Sequence, residues 1–155
     1  GLEYLLGKLA AYLLMGLVSS VFALLVAVLW FRVPFRGSLG AYLLLTADYF
    51  LACMGTILIV ASFVKSQQTA MFIVLLIYIV PSFFLAGLIN PVSTQSLGSM
   101  LTSYALPSTH LVEINRALFL KGLGLEQLGR PALILLFMGC GSLSLGLLLF
   151  RKKLA

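Results

Sequence analysis

Residues 9–31 carry no charged side chain, and neither do residues 131–150. As a helix rising 1.5 Å per residue, the first of these runs reaches roughly 34 Å, enough to cross a ~30 Å hydrocarbon layer with some tilt. Two further runs complete the pattern: residues 38–64, interrupted only by Asp48, and residues 69–89, with Pro81 inside. Backbone at membrane depth must satisfy its N–H and C=O groups internally, so runs of this kind are helices. The expected fold is an all-α integral membrane protein with four transmembrane helices, a single membrane domain over residues 1–155. Composition agrees: 62% of residues are hydrophobic and 9% charged, against roughly 25% charged in a soluble domain that must wet its own surface.

The joints are of different kinds. Arg32-Val-Pro-Phe-Arg-Gly-Ser38 carries the proline and glycine that end helices, and Trp30 and Phe31 before it suit an interfacial belt. Lys65-Ser-Gln-Gln68 is short and polar, so the second and third helices should be antiparallel neighbours. Pro81 removes one backbone hydrogen bond and should kink the third helix, leaving Ser82 or a neighbouring helix to satisfy the freed carbonyl. Pro131 suits a first helical position, and Arg151-Lys152-Lys153 ends the fourth span.

Residues 90–130 fit none of these patterns. The segment is apolar, with no charged residue before Glu113, yet neither half makes a span. Leu97–Leu106 is short and broken by Gly98 and Pro107, while Ser108–Lys121 has helix signals, with Ser108 or Thr109 as N-cap and Gly122 as the stop. Two short helices dipping into the membrane edge and returning are expected. Such a segment, re-entrant or external, is a candidate for lining or capping a pathway.

The net charge is +6, but the basic residues stand singly at the edges of apolar runs, apart from the C-terminal cluster. They read as interfacial anchors and topology signals rather than a nucleic-acid surface. With both ends on one side, each side receives five Lys or Arg, so the count is neutral. The tight Arg-Lys-Lys cluster favours cytoplasmic termini. The chain opens on Gly1 with no signal-peptide pattern, and a natural N-terminus further upstream is expected.

Small residues mark two helix-packing faces: Gly16, Ser20, Ala23 and Ala27 in the first span, and Gly139, Ser142 and Gly146 in the fourth. Asp48 is the one ionisable residue deep in a span and should face protein or water. Two readings stand: a pathway or coupling residue, or a carboxyl hydrogen-bonded to a neighbouring helix or lying near an interface beside Tyr49. Tyr78 and Phe83 fit either a pathway wall or a lipid-facing one. His110 and Glu113 have an i,i+3 spacing, but two ligands without a third make a weak metal site, and a polar helix terminus is the preferred reading. Glu113 and Arg116 repeat that spacing as a surface pair. Cys53 and Cys140 have neither metal-ligand spacing nor a reason to pair. No catalytic set or Walker loop is visible, so the chain is not expected to be an enzyme.

Four stretches together resemble the type-2 ABC exporter permeases. They are Leu6-Gly7-Lys8 before the first span, Ser62-Phe-Val-Lys65-Ser-Gln67-Gln68-Thr-Ala70, Pro81-Ser82-Phe-Phe-Leu-Ala86-Gly87 with Asn90-Pro91, and Leu106-Pro107-Ser-Thr109-His110 with Arg116 and Leu120-Lys121-Gly122. The resemblance implies that the spans are the third to sixth of a six-helix permease in a bacterial inner membrane, with both termini cytoplasmic. It also implies a homo- or heterodimer of permease copies, with ATP and Mg on a partner ABC ATPase subunit and no cofactor on this chain. Candidate ATPase contacts are then Glu3, Lys8, Lys65, Ser66, Gln67 and Gln68. Candidate pathway or gate residues are Asp48, Tyr78, Pro81, Phe83, His110, Glu113 and Arg116. The cargo would be drug-like, lipid-like or polymeric; a non-transporting membrane scaffold is the alternative.

Overall fold

Leucine, alanine and valine carry the first helix, α1 (Leu2–Leu29), without a break. It begins well before Leu9 and stops short of Trp30 and Phe31, which stand exposed in the turn that follows. That turn holds the one non-glycine residue with positive φ among the described residues, Arg32 at 52°. The computed structural model describes residues 2–84, 96–122 and 126–154. Residues 85–95, with the expected end of the third span at Ile89 and the Asn90-Pro91 pair, lie outside the described residues, as do the side chains of the terminal Arg-Lys-Lys cluster.

Ser38 caps the next helix, α2 (Leu39–Phe63): its backbone is extended and its Oγ accepts from the Ala41 N–H at 3.2 Å, satisfying one of the orphan donors of a first turn. Val64 returns to an extended conformation and ends it. After the short turn, α3 (Gln67–Phe84) folds back along α2. Pro81 lies inside α3, which continues to Phe84. The Ser82 hydroxyl does not serve the carbonyl that Pro81 frees; it donates to Ser108 Oγ at 2.9 Å. Two short helices follow, α4 (Leu97–Ala105) and α5 (Pro107–Arg116), and a π-helical turn, Ala117–Lys121, prolongs α5 to Gly122. The final helix is α6 (Gly129–Leu154). Four helices, α1, α2, α3 and α6, are long and apolar enough to span a membrane, and a short helical hairpin lies between the third and fourth.

The N-cap expectation for α5 is corrected. Pro107 takes the first helical position, which its fixed φ favours, so the cap falls on Leu106; Ser108 and Thr109 sit in the first turn. Gly122 ends the segment as expected, left-handed at φ 61°, and a Cβ there would come 3.0 Å from the Arg36 side chain. Both the conformation and the close approach require glycine.

The pairing of α2 with α6 is the most extensive in the molecule. Gly55 lies against the Ser142 and Leu143 backbone, and Gly146 against the Gly55 carbonyl and Leu58. Ser142 Oγ bridges to the Ala52 carbonyl at 3.2 Å. Lipid tails give apolar side chains no reason to leave them, so close backbone contact of this kind is what holds such helices together. The small-residue face of α6 therefore meets α2. The face of α1 does so only in part: Gly16 packs on the Phe50 ring and the Ser20 carbonyl accepts from the Tyr42 hydroxyl at 3.1 Å, while Ala23 is exposed. Tyr42→Phe should therefore cost about 1 kcal/mol, visible as a lower melting temperature in detergent.

The buried core sits at the hairpin end of the bundle. Leu24, Tyr42 and Leu45 from α1 and α2 meet Ile114 and Leu118 from the hairpin and Leu128 and Leu135 around the start of α6. At a membrane edge the alternative to burial is water, so each large side chain there contributes about 1.5–3 kcal/mol. Phe35, Tyr42 and Phe119 close the cluster with edge-to-face contacts at centroid distances of 5.1–6.4 Å. Leu118 also fills the space over Gly37, where a Cβ would come 2.7 Å from its side chain. The α1–α2 loop and the hairpin thus form one cap.

Candidate functional site

The hairpin is the part of the molecule whose polar groups converge. Leu106 bends the chain between α4 and α5, and its N–H bonds to the Ser103 carbonyl at 3.1 Å. The last carbonyls of a helix lack internal donors. Here α5 supplies them from its first turn. Thr109 Oγ1 donates to the Ser103 carbonyl at 2.5 Å, and His110 Nε2 lies 3.0 Å from the Tyr104 carbonyl. Ser103, Thr109 and His110 are all buried by these bonds. Ser108, beside them, receives the bond from Ser82 and so joins the hairpin to α3.

Two hollows flank this knot. Beneath it, a cavity of about 130 Å³ lies between Ala52 and Thr56 of α2, Tyr78 of α3, Leu106 and Pro107 of the hairpin, and Met138 and Ser142 of α6. The Tyr78 hydroxyl is buried near Cys53 and Thr56 and makes no well-formed hydrogen bond. A space this size holds water where polar groups line it, and Tyr78, Thr56 and Ser142 supply them. On the other side, a cleft of about 480 Å³ opens between the hairpin and α6, lined by Tyr104, His110, Glu113, Arg130, Pro131 and Ile134.

The sequence candidates divide between the two ends and the middle. His110 and Glu113 share the cleft, and Tyr78 lines the cavity. Pro81 is partly buried in α3 just ahead of Ser82, whereas Phe83 and Arg116 are exposed. Asp48 is buried where α2 meets α6, its carboxylate 3.1 Å from where a Cβ on Gly139 would stand. It faces protein, one of the two surroundings expected for a carboxyl in a span, and it does not line the cavity beneath the hairpin. Glu3, Lys8, Lys65, Ser66, Gln67 and Gln68 are all exposed. They gather at the opposite end of the bundle, at the start of α1 and in the α2–α3 turn. Lys8 Nζ stands 5.7 Å over the Tyr4 ring there, and a groove of about 330 Å³ runs between Leu5–Tyr12 and Met54–Leu58.

Arg130, Tyr104 and Thr56 were not singled out from the sequence, and Ser108 was read only as a helix cap. Arg130 looked like a span-end anchor, and only the return of the hairpin onto α6 brings it beside Glu113.

The fold thus places four candidate spans around a short helical hairpin that precedes the last of them. The family described as ABC-2 family transporter protein matches residues 2–148. The chain belongs to the ABC-2 family of transporter proteins. Among curated proteins this ABC-2 chain is similar to the probable multidrug ABC transporter permease YbhR of Escherichia coli K12, 24% identical over 97% of this chain and 41% of that protein. It is also similar to the probable multidrug ABC transporter permease YbhS of the same strain, 28% identical over 77% of this chain and 32% of that protein. The ABC-2 chain thus spans less than half the length of these relatives. No solved structure matches it.

Proposed function

We propose that this chain is the membrane part of an export permease, driven by ATP hydrolysed on a separate ABC ATPase subunit. The family match over residues 2–148 carries the reading. In it the spans are the third to sixth of a six-helix permease in a bacterial inner membrane, both termini are cytoplasmic, and two permease copies work together. The descriptions of the relatives as multidrug permeases favour a drug-like amphipathic cargo over a polymer. ATP and Mg reside on the partner subunit, which supplies the free energy; the residues here receive and transmit movement.

Glu3, Lys8 and the Lys65–Gln68 turn are the cytoplasmic contacts in this proposal, and their exposure at one end of the bundle supports it. The α2–α6 pair moves as a unit, because its glycines leave no slack for sliding. The hairpin, held to α3 by Ser82–Ser108 and to the α1–α2 loop by Leu118 and Phe119, is the outer gate.

Co-purification of the intact permease with its ATPase, and ATP-dependent dye efflux from proteoliposomes, test the proposal. The double variant Lys8→Glu/Lys65→Glu should weaken co-purification roughly ten- to thirtyfold, two exposed charge pairs at about 1 kcal/mol each. Its melting temperature should stay unchanged, since both side chains are exposed. An intact permease that binds no ATPase and moves no dye overturns the reading.

A further inference from the structure

Away from the hairpin, α1 and α2 do not close on each other. Nearer the hairpin the two helices touch, with Gly16 on the Phe50 ring and the Tyr42 hydroxyl on the Ser20 carbonyl. Toward the start of α1 a groove of about 330 Å³ opens between them. Leu5 and Leu9 form one wall, and Met54, Ile57 and Leu58 the other. The groove runs about 10 Å along α1, from Leu5 to Tyr12. Its rim is open: Tyr12 and Ile57 keep 53% and 41% of their surface exposed, and both belong to candidate spans, so lipid reaches into it. Lys8 is the one charged residue in the lining, and no carboxylate is among the lining residues. Its ammonium is carried back over Tyr4, one turn nearer the start of α1, 5.7 Å from the ring centroid. A cation therefore stands at the shallow end of the groove, and an uncharged apolar channel leads from it into the span.

That arrangement fits an anion carried on an apolar chain, and basic pockets between membrane helices are a recurring way of holding acidic headgroups. We infer that the groove between α1 and α2 binds a phospholipid of net negative charge, of the phosphatidylglycerol type. The phosphate meets Lys8, and one acyl chain lies between the Leu9 and the Met54–Leu58 walls. A zwitterionic headgroup brings its own cation to the phosphate, and that cation competes with Lys8. The Lys8 ammonium has three N–H donors, so a phosphate here and a carboxylate of the proposed ATPase partner can share it. Retention of such a lipid requires neither ATPase nor transport, so the proposed export function and this site can fail independently.

Native mass spectrometry of the intact permease in detergent, supplied with equal amounts of phosphatidylglycerol, phosphatidylethanolamine and phosphatidylcholine of identical acyl chains, tests the assignment. Phosphatidylglycerol should be retained about fivefold over phosphatidylcholine, the scale of one lysine against an anionic headgroup. Lys8→Gln should remove that preference. Ile57→Trp should fill the groove and lower the retention of all three lipids. Both side chains are exposed, so these variants keep the fold. Lys121→Gln removes an exposed cation at the hairpin end and should leave the preference as it was. A preference lost equally in Lys8→Gln and Lys121→Gln would be the general attraction of scattered cations for acidic lipid, and it overturns the site. Displacement of the lipid by millimolar glycerol 3-phosphate would mean an anion site without an acyl chain, and it overturns the lipid assignment. Equal retention of the three lipids overturns it as well. Retention unchanged in Ile57→Trp would mean that protein already covers the groove, and the inference falls.

Discussion

Gly55→Ala should cost about 3 kcal/mol, the upper end of what overpacking a tight contact costs, and so lower the folding equilibrium constant by roughly a hundredfold. The added methyl group meets the Ser142 and Leu143 backbone as well as the Ser142 hydroxyl, so turning a side chain away does not relieve it. Nothing local can give way, so α2 and α6 must part. Parting breaks the Ser142–Ala52 bond and the contact of Gly146 with the Gly55 carbonyl. Gly146→Ala presses on the same seam, with a Cβ 2.7 Å from that carbonyl and 2.8 Å from Leu58. Once one variant has separated the helices the other has less to break, so the double variant should lose less than the sum. Gly141→Ala is the control: it lies on α6 with nothing within 4 Å of its Cβ position. Thermal melting and size-exclusion profiles in detergent distinguish these outcomes. A Gly55→Ala protein that melts with the unsubstituted chain would mean that the α2–α6 seam does not hold the fold.

The four helices were legible because span length and the exclusion of charge are local properties, countable along the chain. The hairpin was legible for the complementary reason: residues 97–121 are largely apolar, but Pro107 divides them and neither half is long enough to cross. Partners were not legible. Gly139, Ser142 and Gly146 announce a packing face, but nothing in the order of residues says that Gly55, one of two glycines in α2, lies opposite. The α1 face shows how such a reading overreaches, since Ala23 shares the spacing of Gly16 and Ser20 yet is exposed. Ser108 and Thr109 misled in another way. Both are good caps, but Pro107 claims the first helical position, and their hydroxyls are spent on Ser82 and the Ser103 carbonyl. Asp48 was expected to face protein or water, and it faces protein. That its neighbour is a glycine of α6 depends on a contact spanning some ninety positions of sequence, which no local pattern carries.

Joining α3 to the hairpin covalently should stop export in the proposed cycle. The Ser82 and Ser108 hydroxyl oxygens are 2.9 Å apart, so cysteines at the two positions need only a small shift to form a bond of about 2.05 Å. In the complete permease with its ATPase, and with Cys53 and Cys140 replaced by alanine, Ser82→Cys/Ser108→Cys should transport normally when reduced. Mild oxidation should bring dye efflux to background, and reductant should restore it. The hydrogen bond that the cysteines replace is worth only about 1 kcal/mol, so its loss leaves the gate able to close, whereas a disulfide at this point prevents it from opening. Ser96→Cys/Ser99→Cys provides the matching control. Those hydroxyls are 3.0 Å apart at the start of α4, and a bridge within one exposed helical turn should leave efflux intact under the same oxidant. Stimulation of the ATPase by substrate separates the two ways export can fail. A locked gate leaves ATP hydrolysis running without efflux, while a collapsed permease loses both. Undiminished efflux from a fully oxidised Ser82–Ser108 pair would show that the hairpin does not move against α3, and the gate would have to be sought elsewhere, first at Tyr78 in the cavity below.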